Sequence, residues 1–179
     1  MKKSLEYQRY GTKTPKPVSA SAIDNHVYKA FPNDLNAHHT VFGGLVMSIC
    51  DRIALVVSER HSSKVCVTAS VDSMHFRAPA RDGDTLIFKA AINRAWGSSM
   101  EIGVKVLAEN SFLGEERHVV SAYFTFVALD EHHRPTEVPA VRPETPEEKK
   151  RYDHAEIRRN ARLRMRDELK ASRKQQDGL

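Results

Sequence analysis

One segment governs what this chain can become. From position 42 to about position 60 it has no proline, opens on Gly43-Gly44 and carries apolar residues on more than one side. A helix apolar nearly all round belongs in the middle of a domain. Beyond it the pattern alternates with period two. Residues 64–76 (Val65, Val67, Ala69, Val71), 85–95, 98–109 (Met100, Ile102, Val104, Val106) and 118–129 (Val120, Ala122, Phe124, Phe126) read as strands. A shorter strand is expected at 23–31 and a loop at 32–40. Arg81-Asp82-Gly83-Asp84, Trp96-Gly97 and residues 110–116 are turn signals, so the later strands should form an antiparallel meander. One long helix with several strands makes an α+β domain whose helix packs on one face of the sheet.

The ends differ from this middle. Residues 1–20 are polar, with Pro15, Pro17 and several lysines, and read as a flexible lead. Pro135, Pro139, Pro143 and Pro146 close the domain, which spans 21–140. Residues 141–179 form a basic tail, expected to be a solvated helix. The net charge of +5 sits mainly there, since positions 147–179 hold eleven Lys and Arg against seven Asp and Glu. Arg158, Arg159, Arg162, Arg164 and Arg166 would attract a polyanion. The tail lacks the interleaved aromatics of a single-strand binding surface, and nucleic acid is not the expected partner. No apolar run approaches the ~18 residues of a membrane span. The first residues have no apolar stretch of the secretory kind. Cys50 and Cys66 lie in apolar runs with no metal-ligand spacing, as expected for small buried hydrophobes in a reducing cytoplasm. No metal site is expected.

The chemistry concentrates between Asp34 and Asp51. A polar stretch containing Asn36 runs into the two glycines, and a single carboxylate, Asp51, comes after them among Ile49, Cys50, Ile53, Ala54 and Leu55. An ionised side chain among apolar neighbours is costly unless paired or used. Glycines at a helix start let a ligand approach backbone N–H groups that have no intrahelical partner. Gly44 and Asp51 are seven residues apart, about two turns, hence on one face and roughly 10 Å apart along the axis. A carbonyl oxygen at the helix N-terminus would meet free donors and the positive dipole end. Asp51 would then act as general base on water or attack the carbonyl itself.

The Gly-Gly start after a D-x-N loop, the Asp seven residues on, the run Val67-Thr68-Ala69-Ser70-Val71-Asp72-Ser73-Met74-His75-Phe76 and the turn Gly97-Ser98-Ser99-Met100 resemble the acyl-CoA thioester hydrolases of the hotdog superfamily. The resemblance covers residues 23–139. It implies a curved antiparallel sheet wrapped around one long central helix, and homo-oligomers built from dimers, in some relatives trimers of dimers. It implies Asp51 as the catalytic carboxylate, Asn36 as its partner from the opposite protomer, and Gly44 as a donor to the thioester oxygen. Gly43, Thr68, Arg77, Arg94, Gly97, Ser98 and Ser99 would meet the substrate and its CoA, with no further cofactor. Three positions depart from the family pattern. His39 stands where Gly is usual, Trp96-Gly97 replaces Gly-Arg before the serines, and Phe76-Arg77-Ala78-Pro79 moves a basic residue by one. Those losses at the CoA end motivate an alternative, a non-catalytic acyl-CoA-sensing or scaffold module whose basic tail holds a polyanion. A dehydratase of the same fold would show an Asp/His pair close in sequence, which is not found.

Overall fold

The computed structural model describes residues 14–176, so the first thirteen residues of the expected lead lie outside it. The elements in order are β1 (Lys16–Pro17), a 3-10 turn at Val18–Ala20, β2 (Ile23–Lys29), a second 3-10 turn at Pro32–Asp34, α1 (Gly43–Ser62), β3 (Val65–Phe76), β4 (Thr85–Trp96), β5 (Ser99–Asn110), β6 (Glu115–Leu129), β7 (Val141–Arg142) and α2 (Pro146–Gln176). Five strands form one antiparallel sheet in the order β2-β4-β5-β6-β3, and β1 pairs with β7 in a parallel two-stranded piece.

The meander holds for β4, β5 and β6. The turn signal at 81–84 is a real turn, with Gly83 at φ +76° and the Asp84 carboxylate accepting the Arg81 N–H at 2.7 Å. It does not join neighbours, however, because β3 sits beyond β6 at the far edge of the sheet. The turn expected over 110–116 is shorter. The Asn110 side chain accepts the N–H groups of Phe112 and Leu113, Gly114 takes φ +67°, and Glu115 already pairs with Asn110. A side chain that mimics a backbone turn lets the hairpin close in four residues.

The central helix is not buried all round within one protomer. Val46, Cys50, Ile53, Ala54 and Val57 pack into the core with Phe88, Ile102, Phe124 and Phe126. The opposite face, with Met47, Ser48, Arg52 and Val56, is exposed. Edge strand β3 likewise exposes Val65, Val67 and Val71. Helix and sheet saturate only one side of each other, and the described residues leave the apolar remainder uncovered.

Residues 16–20 are not a free lead. Lys16 is buried, and its ammonium donates to the carbonyl of His61 at 2.7 Å and that of Arg60 at 3.4 Å. The last carbonyls of a helix have no intrahelical donor and carry the negative dipole end, which is why a cation is drawn in. Ser63 completes the cap in the left-handed region at φ 56°, with its N–H on the Glu59 carbonyl. His61 is fully buried beneath this cap, its Nε2 at 2.8 Å from the Pro139 carbonyl.

The tail is a helix, and most of its first half is solvated as expected, but one stripe of it rests on the sheet. α2 lies on the outer face of the sheet and is held there by ions. Arg158 forms a forked pair with Glu101, at 2.6 and 3.0 Å, over the Tyr123 ring. Arg162 meets Asp72 and Thr125. Glu156 takes the Trp96 indole N–H at 2.8 Å and pairs with Arg94 at 3.1 Å. Glu101 is 1% exposed and also accepts from Asn93. The spacing of residues 155, 158 and 162 puts one stripe of α2 on the sheet. Arg158, Arg159 and Arg162 are therefore engaged with the domain, Arg159 over the Trp96 ring, which dilutes the polyanion surface expected of the tail.

Removing Arg158 strands a buried carboxylate, the costly way to break such a pair. Arg158→Ala is expected to lose about 2–4 kcal/mol in urea unfolding, with Glu101→Gln/Arg158→Ala recovering part of it. Burial first, and the nearby Lys16 charge, push the His61 pKa below its usual 6.5, against the Pro139 bond that raises it. The unfolded chain thus binds a proton that the folded chain resists. Stability from this group is complete above 6.5 and lost as pH falls towards the folded value. Melting temperature should drop from pH 7.5 to 5.5, and less steeply in His61→Gln.

Candidate active site

The loop before α1 is shaped by Asn36. Its Oδ1 accepts the N–H of His38 at 2.9 Å and that of Thr40 at 3.3 Å, while its Nδ2 donates to the Thr40 hydroxyl at 2.9 Å. One amide proton stays over, and Asn36 lines a cavity of about 430 Å³ at the helix start, with Thr40, Gly43, Phe76, Arg77 and Ala78. His39 takes φ 56°. The backbone here asks for the left-handed region that glycine enters freely, which explains why a Cβ at this position is unusual.

Aromatic rings crowd both glycines. A Cβ on Gly43 would lie 3.2 Å from the Phe76 ring, and one on Gly44 would overlap the Phe42 ring. Among the described residues no acceptor takes the N–H of Gly43 or Gly44, and no side chain caps the helix. The Leu45 and Val46 N–H groups return to the Phe42 carbonyl at 3.0 and 3.3 Å. Two donors at the positive end of a twenty-residue helix therefore stay open.

Two turns on, Asp51 stands on the open face of α1, half-exposed and not buried as its sequence neighbours suggested. The helix buries Cys50 and Ile53 and turns Asp51 away from them. Its Oδ1 accepts the Thr68 hydroxyl at 2.7 Å. The pairing of β3 with β6 slips immediately after Thr68, a bulge at Ala69, the kind of irregularity that re-aims a side chain. A second slip falls at Asp72, whose carboxylate pairs with Arg162 of α2 on the outer face. Cys50, next in sequence to Asp51, is no rival nucleophile, since burial and then the Asp51 charge push its thiol up to about 12.

Two groups thus form within one protomer. Gly43, Asn36 and Arg77 share the cavity at the helix start; Asp51 and Thr68 share a hydrogen bond farther along. Asn36 and Asp51 are not bonded to each other. Arg77, exposed and without an acidic partner among the described residues, lines the cavity despite its one-residue shift. Arg94 is not available to a ligand in the way expected. It is tied to Glu156 and stacks at 4.1 Å on Tyr152, because α2 covers that end of β4. Gly97, Ser98 and Ser99 form the β4–β5 turn, outside the cavity. Gly97 has φ +51°, the carbonyls of Gly97 and Ser98 accept from Val138 and Ala128, and the Ser99 hydroxyl donates to the Trp96 carbonyl. Sequence reasoning missed Phe42 as the ring over Gly44, Phe76 as the wall against Gly43, and Val119-Val120 as cavity lining. The residue pair Phe76 and Gly43 is readable only once β3 is known to pass the helix start.

The Thioesterase superfamily model matches residues 38–114. The acyl-CoA thioester hydrolase YkhA of Bacillus subtilis is 40% identical over 134 residues, 75% of this chain and 78% of that one. The acyl-CoA hydrolase of Staphylococcus aureus, solved in complex with butyryl coenzyme A, coenzyme A and coenzyme A disulfide, superposes with a TM-score of 0.82. It is 38% identical over 88% of this chain and 95% of that one. That protein has also been solved as alanine variants at an aspartate, an asparagine and a threonine. A hexameric acyl-CoA thioesterase gives a TM-score of 0.82 at 34% identity, covering 85% of this chain and 97% of that one.

The left-handed backbone at position 39 yields a direct test. His39→Gly is expected to raise stability by up to about 1 kcal/mol, strain relief outweighing chain entropy, as read by thermal unfolding.

Proposed function

The chain belongs to the thioesterase superfamily, among its acyl-CoA thioester hydrolases, and on that premise we propose that it hydrolyses acyl-CoA to a free carboxylic acid and CoA with Asp51 as the catalytic carboxylate. The observation that carries this reading is the Asp51–Thr68 hydrogen bond two turns beyond the open donors of Gly43 and Gly44. The thioester oxygen sits on those N–H groups, which strengthen as negative charge grows on it. Thr68 holds one carboxylate oxygen and leaves the other for the reaction.

The same atoms serve two routes. As general base, Asp51 takes a proton from water while the water oxygen attacks the thioester carbon; the C–S bond breaks and the CoA thiolate leaves with the proton. As nucleophile, Asp51 attacks that carbon itself, CoA leaves, and water cleaves the resulting anhydride. Support for the residue set comes from spacing. Asn36, Asp51 and Thr68 are separated by the same numbers of residues as the Asn, Asp and Thr replaced by alanine in the Staphylococcus aureus hydrolase.

The working unit we propose is at least a dimer. A second copy laid against the open face of α1 and the edge of β3 would cover Met47, Val56, Val67 and Val71 and bring its own Asn36 towards Asp51. Hexamers are named among the structural relatives, and a trimer of dimers is the form we expect. Arg77 and Gly43 would hold the CoA end of the substrate; Arg94 and the Gly97-Ser98-Ser99 turn would contribute only through the stiffness of β4 and β5. The chemistry consumes water alone, and we assign it no cofactor. No helix among the described residues is long and apolar enough to cross a membrane. With two free buried thiols, a reducing cytoplasm is the setting we propose. The alternative of a non-catalytic module, motivated by the losses at the CoA end, has less of a tail to hold a polyanion with, because Arg158 and Arg162 are paired on the sheet.

Thiol release from a panel of acyl-CoAs is the test. Asp51→Ala should lower kcat by at least about a hundredfold with the fold and CoA binding kept, and full activity would remove the reading. Thr68→Val should lower kcat more than it raises KM. In a single turnover in ¹⁸O-water, label entering the Asp51 carboxylate marks the anhydride route.

A further inference from the structure

A second cavity lies on the other side of the sheet, away from α1. It measures about 440 Å³, within the range of small-molecule sites. Strand alternation defines it. Phe88, Ala90 and Ile92 of β4 point into the core, so Lys89 and Ala91 point outward. On β5, Gly103 and Lys105 do the same. The register sets Lys89 directly opposite Lys105, and Ala91 directly opposite Gly103. The first pair makes a wall and the second, with the Asn93 amide beside it, a low floor. Arg151, from the start of α2, lines the same space.

Like charges directly opposite on neighbouring strands repel and destabilise a sheet. Among the described residues none of Lys89, Lys105 or Arg151 forms an ion pair. Asp24 is the one carboxylate lining the cavity, and it is unpaired as well. The lining thus holds three cations against one anion. Elsewhere on this face the chain pairs its charges closely, as at Glu101–Arg158 and Asp72–Arg162. Gly103 has a local reason to lack a side chain. A Cβ on Gly103 would come within 2.8 Å of the Asn93 amide, which is fixed by Glu101.

We infer that this outer-face cavity is a binding site for a small molecule carrying two or more phosphate groups, held by Lys89, Lys105 and Arg151. Separate cations around a low floor suit several linked phosphates better than one. The inference is independent of the thioester chemistry, because Lys89 and Lys105 stand on the face of the sheet opposite α1. Two sources share this ligand chemistry, a free polyphosphate or nucleotide and the phosphate end of a CoA substrate.

The test is calorimetric titration of the full chain with inorganic pyrophosphate, ADP and CoA at two salt concentrations, for wild type and Lys89→Gln/Lys105→Gln. Wild type should bind pyrophosphate, and the double variant should bind it at least tenfold more weakly with a shallower salt dependence. Without ligand and at low salt, the variant should melt no lower than wild type, since a repulsive pair is gone. Unchanged KM for acyl-CoA in the variant identifies a separate ligand; KM raised in step with the lost pyrophosphate affinity identifies the substrate's own phosphates. Equal pyrophosphate affinity in the two proteins, or no binding to wild type, overturns the inference, and both readouts hold whether or not the protein turns over a thioester.

Discussion

The central helix is finished at one end and left open at the other, and the rest of the molecule is arranged around that asymmetry. At its carboxyl end Lys16 and the Ser63 cap satisfy the orphan carbonyls. At its amino end two glycines leave their N–H groups without acceptors. A helix terminus with free donors is an unmet demand for negative charge. Around that terminus Asn36 ties the loop back on itself, and aromatic rings stand against both glycines.

Much of this was legible in the sequence because it rests on local rules. The period-two runs located β3 to β6 within a few residues, and the glycine pair marked the start of α1. What sequence periodicity did not carry was contact at a distance. The turn at 81–84 looked like a hairpin because Asp-Gly chemistry is the same in any turn, yet β3 is separated from β4 by two strands. Asp51 looked buried because its neighbours in sequence are apolar. Which side of a helix faces the core depends on the sheet, and the sheet took Cys50 and Ile53. Arg94 looked available because its partners, Tyr152 and Glu156, lie about sixty residues away.

The tail shows the limit of reading solvation from composition. Few apolar residues and many charges suggested a helix in water. The complementary charges, however, are already built into the sheet, where Glu101 and Asp72 would be poorly placed without a cation. Two slips in the register of β3 belong to the same logic. Thr68, just before the first, meets Asp51 on the inner side, and Asp72, at the second, meets Arg162 on the outer one. A single strand thereby serves the chemistry on one surface and the attachment of α2 on the other.

An attachment made of ions behaves unlike a core made of hydrocarbon. Cooling weakens apolar association, whereas the dehydration cost that opposes ion pairing is greatest in the cold and shrinks on warming. It also has one register. A greasy stripe tolerates sliding by a residue or a turn, but a forked guanidinium on a sunken carboxylate fits one seat only. The second helix is therefore indexed against the sheet as a key is against its wards, and the sheet edge that carries Thr68 inherits that alignment.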